Sequence, residues 1–135
     1  MSAAAVRAAL EVALAAMSPA LATGWENVNF TPTVGTPYQL AFLLRAQPEN
    51  PEIGRFTVER GIFQVSLFYP LGTGPAAAEA RAELIRTTFY RGASFTASGV
   101  TTIIERTPEI SPGRAEDDRW VIPVRARFFA HIAGG

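Results

Sequence analysis

The run Arg60-Gly-Ile-Phe-Gln-Val-Ser-Leu-Phe-Tyr-Pro70 constrains the fold more than any other stretch. In an extended chain Phe63, Val65, Leu67 and Tyr69 fall on one face, and Gln64 and Ser66 on the other. A period of two in aromatic and β-branched residues is the pattern of a half-buried strand. Pro70 ends it, because proline has no N–H to give a ladder. Leu71-Gly-Thr-Gly-Pro75 is a tight connection, and Ala76 to Arg91 then reads as a helix. Pro75 suits the first helical position, where a missing N–H costs nothing. Thr73 or Gly74 is the expected N-cap, and Gly92 the C-terminal stop. No catalytic motif lies in or beside this unit.

The rest of the chain supplies partners for it. Val6, Leu10, Ala13, Leu14 and Met17 recur at helical spacing, with Arg7 and Glu11 on another face. They predict an amphipathic helix from about Ala3 to Met17, capped by Ser2 and ended by Ser18-Pro19. Ala20-Leu-Ala22 resembles a signal-peptidase site, but the start lacks basic residues and Glu11 interrupts the apolar run, so the helix is preferred. Trp25, Val28 and Phe30 sit among turn formers, as in an irregular or short edge strand. Tyr38 to Arg45 alternates as a second strand, and residues 47–54 form a polar, proline-marked loop. Phe56 and Val58 share one parity while Phe63, Val65 and Leu67 share the other. A register shift at Gly61 is expected, with a bulge there and the outer strand standing clear of the sheet. On the second helix Ala77, Ala80, Leu84 and Thr88, with Ile85 and Phe89 alongside, form the inward stripe, and Glu79, Glu83 and Arg86 the wetter side. Gly99 to Arg106 reads as a strand and residues 107–118 as a second polar loop. In the last strand Trp120, Ile122, Val124, Ala126 and Phe128 point one way. Arg119, Arg125 and Arg127 point the other, and Pro123 hints at an edge or bulge. This order predicts an α+β fold with a single domain over residues 1–135. Two helices pack on one face of a four- or five-stranded, mainly antiparallel sheet.

Composition narrows the chemistry. The formal net charge is 0, which gives no long-range attraction to nucleic acid or an anionic membrane. The 12 basic residues are all arginine, a residue suited to bidentate carboxylate pairing at protein interfaces. No cysteine is present, so neither disulfides nor thiolate chemistry are available. No apolar run is long enough to span a bilayer. His131 is the only histidine and cannot form a metal cluster alone. Glu116, Asp117 and Asp118 lack the spacing of a calcium loop. Gly72-Thr-Gly74 lacks the lysine of a phosphate-binding loop. Serines 2, 18, 66, 94, 98 and 111 lie in no nucleophile elbow. We therefore expect no enzymatic activity, no catalytic residues, no cofactor and no metal. The Arg125/Arg127 stripe lacks interleaved aromatics apart from Phe129, so a subunit salt-bridge surface is preferred to nucleic-acid binding.

Trp25-Glu-Asn-Val-Asn-Phe-Thr-Pro32, Pro37-Tyr38, Arg60-Gly-Ile-Phe-Gln-Val65, Phe68-Tyr-Pro70 and the Gly-Pro-Ala-rich start of the second helix carry a resemblance. Over about Ala5 to Phe128 the chain resembles the tail terminator, or tail completion, proteins of long-tailed bacteriophages and prophages, and related small phage proteins. The resemblance implies a structural virion protein. Such a protein forms a homo-oligomeric, typically hexameric, ring that caps the tail tube, stops its polymerisation and contributes to head–tail joining. Its implied partners are copies of itself, the tail tube protein and a head–tail connector protein. Its implied location is the virion tail, and the bacterial host cytoplasm during assembly. In such a ring Arg125 and Arg127 are expected to pair with acidic residues such as Asp117 or Asp118 of the next subunit. The 47–54 loop, which carries Glu52, is a second candidate contact. The alternatives are another minor tail or head–tail connector component, or a small ligand-binding domain.

Overall fold

The computed structural model describes residues 3–50 and 57–132. Two 14-residue strands form its spine: β3 (Thr57–Pro70) and β8 (Arg119–Ile132). They pair antiparallel without interruption from Thr57↔Ile132 to Pro70↔Arg119. β2 (Tyr38–Arg45) pairs antiparallel on the other side of β3, and β1 (Ala22–Gly24) pairs parallel to β2. Beyond β8 the neighbours change along its length. β5 (Val100–Ile104) lies against Phe128–Ala130, β6 (Glu109–Ile110) against Val124–Arg125, and β7 (Arg114–Glu116) against Arg119–Val121. β4 (Ser94–Ala97) completes a hairpin with β5. The main path β1-β2-β3-β8-β5-β4 has six strands, and β6 and β7 bring the sheet to eight. It is larger than the four or five strands expected. The polar 107–118 segment is not a simple loop but contributes two short strands to the outer edge of β8.

Both helices, α1 (Ala3–Ala15) and α2 (Ala76–Thr88), bury their apolar stripes in one shared core. Val6, Leu10, Leu14 and Met17 of the first helix and its exit belong to the same buried cluster as Phe63, Val65 and Leu67 of β3 and Ile122, Val124, Ala126 and Phe128 of β8. α1 lies nearest the β4–β5 hairpin, and α2 nearest β3 and β8. Phe89, fully buried, stands between Phe63 and Phe95 at ring distances of 5.7 and 5.2 Å. Arg7 and Glu11 pair at 3.4 Å on the wet side of α1, as their spacing requires. The expected cap Ser2 lies outside the described residues.

Several local expectations are corrected. The β3 ladder has no bulge at Gly61. A Cβ there would stand 2.4 Å from the Leu44 carbonyl oxygen and 2.8 Å from Cζ of Phe128, so glycine makes room for the ring of the facing strand. The outer residues Thr57–Arg60 stay paired with β8. The inward stripe of α2 is rotated by one residue, to Ala78, Arg81, Ala82 and Ile85. A charged side chain in the stripe hid this from the pattern. Arg81 donates to the Pro19 carbonyl, and burial pushes its pKa down. Pro75 is the N-cap itself, and the helix ends at Phe89, ahead of Gly92. In β2, where alternation alone left the choice of face open, the buried residues are Gln39, Ala41 and Leu43. Pro123 lies in the middle of β8, opposite the gap between β6 and β7. There the outer pairing slips by one residue, from Ile110↔Val124 to Arg114↔Val121, so the hint of an edge or bulge is met locally. Its carbonyl accepts from the Ser111 N–H on the outer side, between the segments covered by β6 and β7. Because N and C=O of a strand residue point the same way, the missing donor faces Ser111, and the β6 ladder ends one residue earlier, at Ile110↔Val124.

Candidate interaction surface

One face of the sheet carries the helices. The opposite face presents Tyr38, Leu40, Phe42 and Leu44 from β2, Ile62, Gln64 and Phe68 from β3, and Arg119, Arg125 and Arg127 from β8. Tyr38, Leu40, Phe42, Ile62 and Phe68 are only half-buried there, and Leu44 is 48% exposed. The segment before β2 shelters one end: Phe30, Tyr38 and Phe68 form an aromatic row at ring distances of 5.5 and 4.7 Å.

The three arginines of β8 share a parity but not a role. Arg119 is buried, with its guanidinium 5.0 Å over the Tyr38 ring and donating to the carbonyls of Thr36 (2.7 Å) and Thr33 (3.0 Å). It fastens the 33–36 turn to the sheet. Arg125 is half-buried. It donates to Gln64 Oε1 at 2.9 Å and Ser111 Oγ at 3.3 Å, and lies 3.6 Å from Glu109. These three partners hold it within its own chain. Arg127 is exposed and has no carboxylate partner among the described residues.

Arg127 borders an open cleft of about 790 Å³ that also gathers Arg91, Arg106 and Arg125 with Glu105 and Glu109. Glu105 is taken by Arg60 at 2.6 Å and Glu109 by Arg125. That leaves Arg91, Arg106 and Arg127 without a carboxylate among the described residues, so the cleft is cationic. Arg91 and Arg106 were not anticipated. Each follows the end of an element, and only the register that sets Ile104 opposite Phe128, with Glu105 N–H donating to the Arg127 carbonyl, brings them beside Arg127.

Asp117 and Asp118 form the two-residue turn joining β7 to β8, at the far end of the same strand. Asp117 has φ +55°, which aspartate tolerates. Both are exposed, and Glu116 beside them pairs with Arg114 at 3.0 Å. The fold therefore separates Asp117 and Asp118 from Arg127 by about 30 Å, at roughly 3.4 Å per strand residue. Glu52 lies outside the described residues. Among the described residues no group of three His, Cys, Asp or Glu side chains is placed to hold a metal ion. No helix among them is long and apolar enough to cross a membrane.

A family model described as phage tail terminator protein matches residues 4–128. One solved structure is similar along its whole length, with a TM-score of 0.80 and 24% identity over 100% of this chain and 99% of that one. At that identity the likeness concerns the fold. A comparison with curated proteins returns no match.

Proposed function

Because this chain belongs to the phage tail terminator protein family and is a structural protein of the phage tail, we propose that it assembles into a ring on the end of the tail tube. The ring stops tube growth and offers its free side to the head–tail connector. Its partners in this reading are copies of itself, the tube protein and the connector. Its place is the virion tail, reached from the host cytoplasm during assembly. The reading assigns no catalytic step.

The observation that carries it is the uncovered sheet face. Leu40, Phe42, Leu44, Ile62 and Phe68 lie side by side on strands β2 and β3, and no described element covers them fully. An apolar face of this kind marks a contact surface, and repeated copies around an axis supply the cover. Electron microscopy of tails made with and without the protein tests the reading. Tails of variable, excessive length are expected without it, and immunolabel is expected at the head-proximal end when it is present. Uniform tails in its absence contradict termination. Label elsewhere on the particle points to a different minor tail component.

A further inference from the structure

We propose that the Glu116-Asp117-Asp118 tip of one copy docks in the Arg91/Arg106/Arg127 cleft of the next, so that β8 carries both halves of a head-to-tail seam. The inference rests on the ring reading above and names its contact.

Charge points to this partner. The cleft sets four arginines against two glutamates, and both glutamates are already paired within the chain. The formal net charge is 0, so the excess in the cleft is balanced elsewhere on the same molecule. The longest run of carboxylates in the sequence is the 116–118 tip. Asp117 and Asp118 have no cationic partner among the described residues. The Arg114–Glu116 pair has side chains 68% and 48% exposed, so it gives way at little cost to a better partner. Arginine suits such a contact, because its planar fork binds a carboxylate through two parallel hydrogen bonds.

Geometry requires a second copy. Tip and cleft are held about 30 Å apart by a continuous strand, so one chain cannot join them. The tip is a two-residue turn closed by the Glu116↔Arg119 pairing, which leaves little conformational freedom to lose on docking. A contact between unlike surfaces leaves one tip and one cleft free after each addition. It continues until the copies close around an axis.

Three chains test the seam by sedimentation across concentration: the wild type, R106E/R127E, and E116R/D117N/D118R. Asparagine at 117 keeps the positive φ accessible. All altered side chains are exposed, so circular dichroism and the melting temperature are expected to stay close to wild type. The wild type is expected to form species larger than a dimer, weakened by salt. Each variant alone is expected to associate at least about tenfold more weakly. An equimolar mixture of the two variants is expected to recover, because the acidic tip of one then meets the basic cleft of the other. Variants that assemble like wild type, a mixture that fails to recover, or an assembly that stops at a dimer overturns the seam. If the wild type sediments as a monomer, oxidation of a mixture of D118C and R106C chains decides. The absence of native cysteine makes the readout clean. A mixed disulfide in excess of either homodimer supports the seam, and parity overturns it. Retention of duplex DNA by wild type but not R106E/R127E, with self-association unchanged, also overturns it and assigns the cleft to phosphate. Failure of the seam leaves tail length untouched as a measurement, so the ring reading is judged separately.

Discussion

Arg119 shows how much a neighbour decides about a side chain. By parity it belongs with Arg125 and Arg127 on a polar stripe, yet it is buried under the 33–36 turn. Two backbone carbonyls and the face of Tyr38 replace its water. Charge-assisted hydrogen bonds of this kind contribute about 1.5–3 kcal/mol. Arg119→Met retains the bulk and removes both donors. It is expected to cost about 2–3 kcal/mol, seen as a drop of about 10 °C in melting temperature and faster hydrogen exchange in residues 33–38. Arg127→Met, at an exposed site, is expected to change the melting temperature by no more than about 1–2 °C. Alternation in the sequence assigned these arginines to one face correctly. It could not tell them apart, because the distinction comes from a segment more than eighty residues away.

Among elements, the most economical device is at the edge of β2. β1 covers only Tyr38 to Leu40, which leaves the Leu43 N–H without a strand partner on that side. Glu26 supplies one. Its Oε1 accepts from Leu43 N–H at 2.6 Å and from Arg7 at 2.9 Å, tying the sheet edge to α1. The Leu43 N–H, and after it Arg7, hold the carboxyl below its ordinary pKa against the opposing effect of burial. A carboxyl with a lowered folded pKa stabilises the protein above its unfolded pKa of about 4.3. That contribution disappears as pH falls through the folded value. Glu26→Gln is therefore expected to melt a few degrees below wild type at pH 7, with the gap closing as pH is lowered toward 3.

At this scale the sequence pattern placed both helices, the strands β2, β3, β5 and β8, and the inward face of β8. It missed β1, β4, β6 and β7, which are short: β6 and β7 exist because β8 offers them a ladder, β4 because it folds back on β5, and β1 because it lies along β2. It also misplaced the bulge. Hydrophobic parity records which side is greasy but not which ring from the facing strand fills the space beside Gly61.

The molecule as a whole has one core, to which both helices and strands β2, β3, β5 and β8 contribute. No part of that core is closed off from the rest. Thermal unfolding is therefore expected to follow a single transition, with far-UV and near-UV circular dichroism coinciding. Two separated transitions would show that the α1–β4–β5 side melts apart from the β2–β3–β8 side. Of the interaction surface, the acidic tip was legible because its carboxylates are consecutive. The cationic cleft was not, because Arg91, Arg106 and Arg127 meet only after the chain has turned back on itself twice.

The fourteen-residue length of β8 has a mechanical consequence. A pull from one neighbour at the Asp117–Asp118 turn and from another near Arg127 runs along covalent backbone, with the ladder to β3 loaded in shear instead of being unzipped pair by pair. A ring closed by the proposed seam would resist hoop stretching through the stiffest path the polypeptide offers.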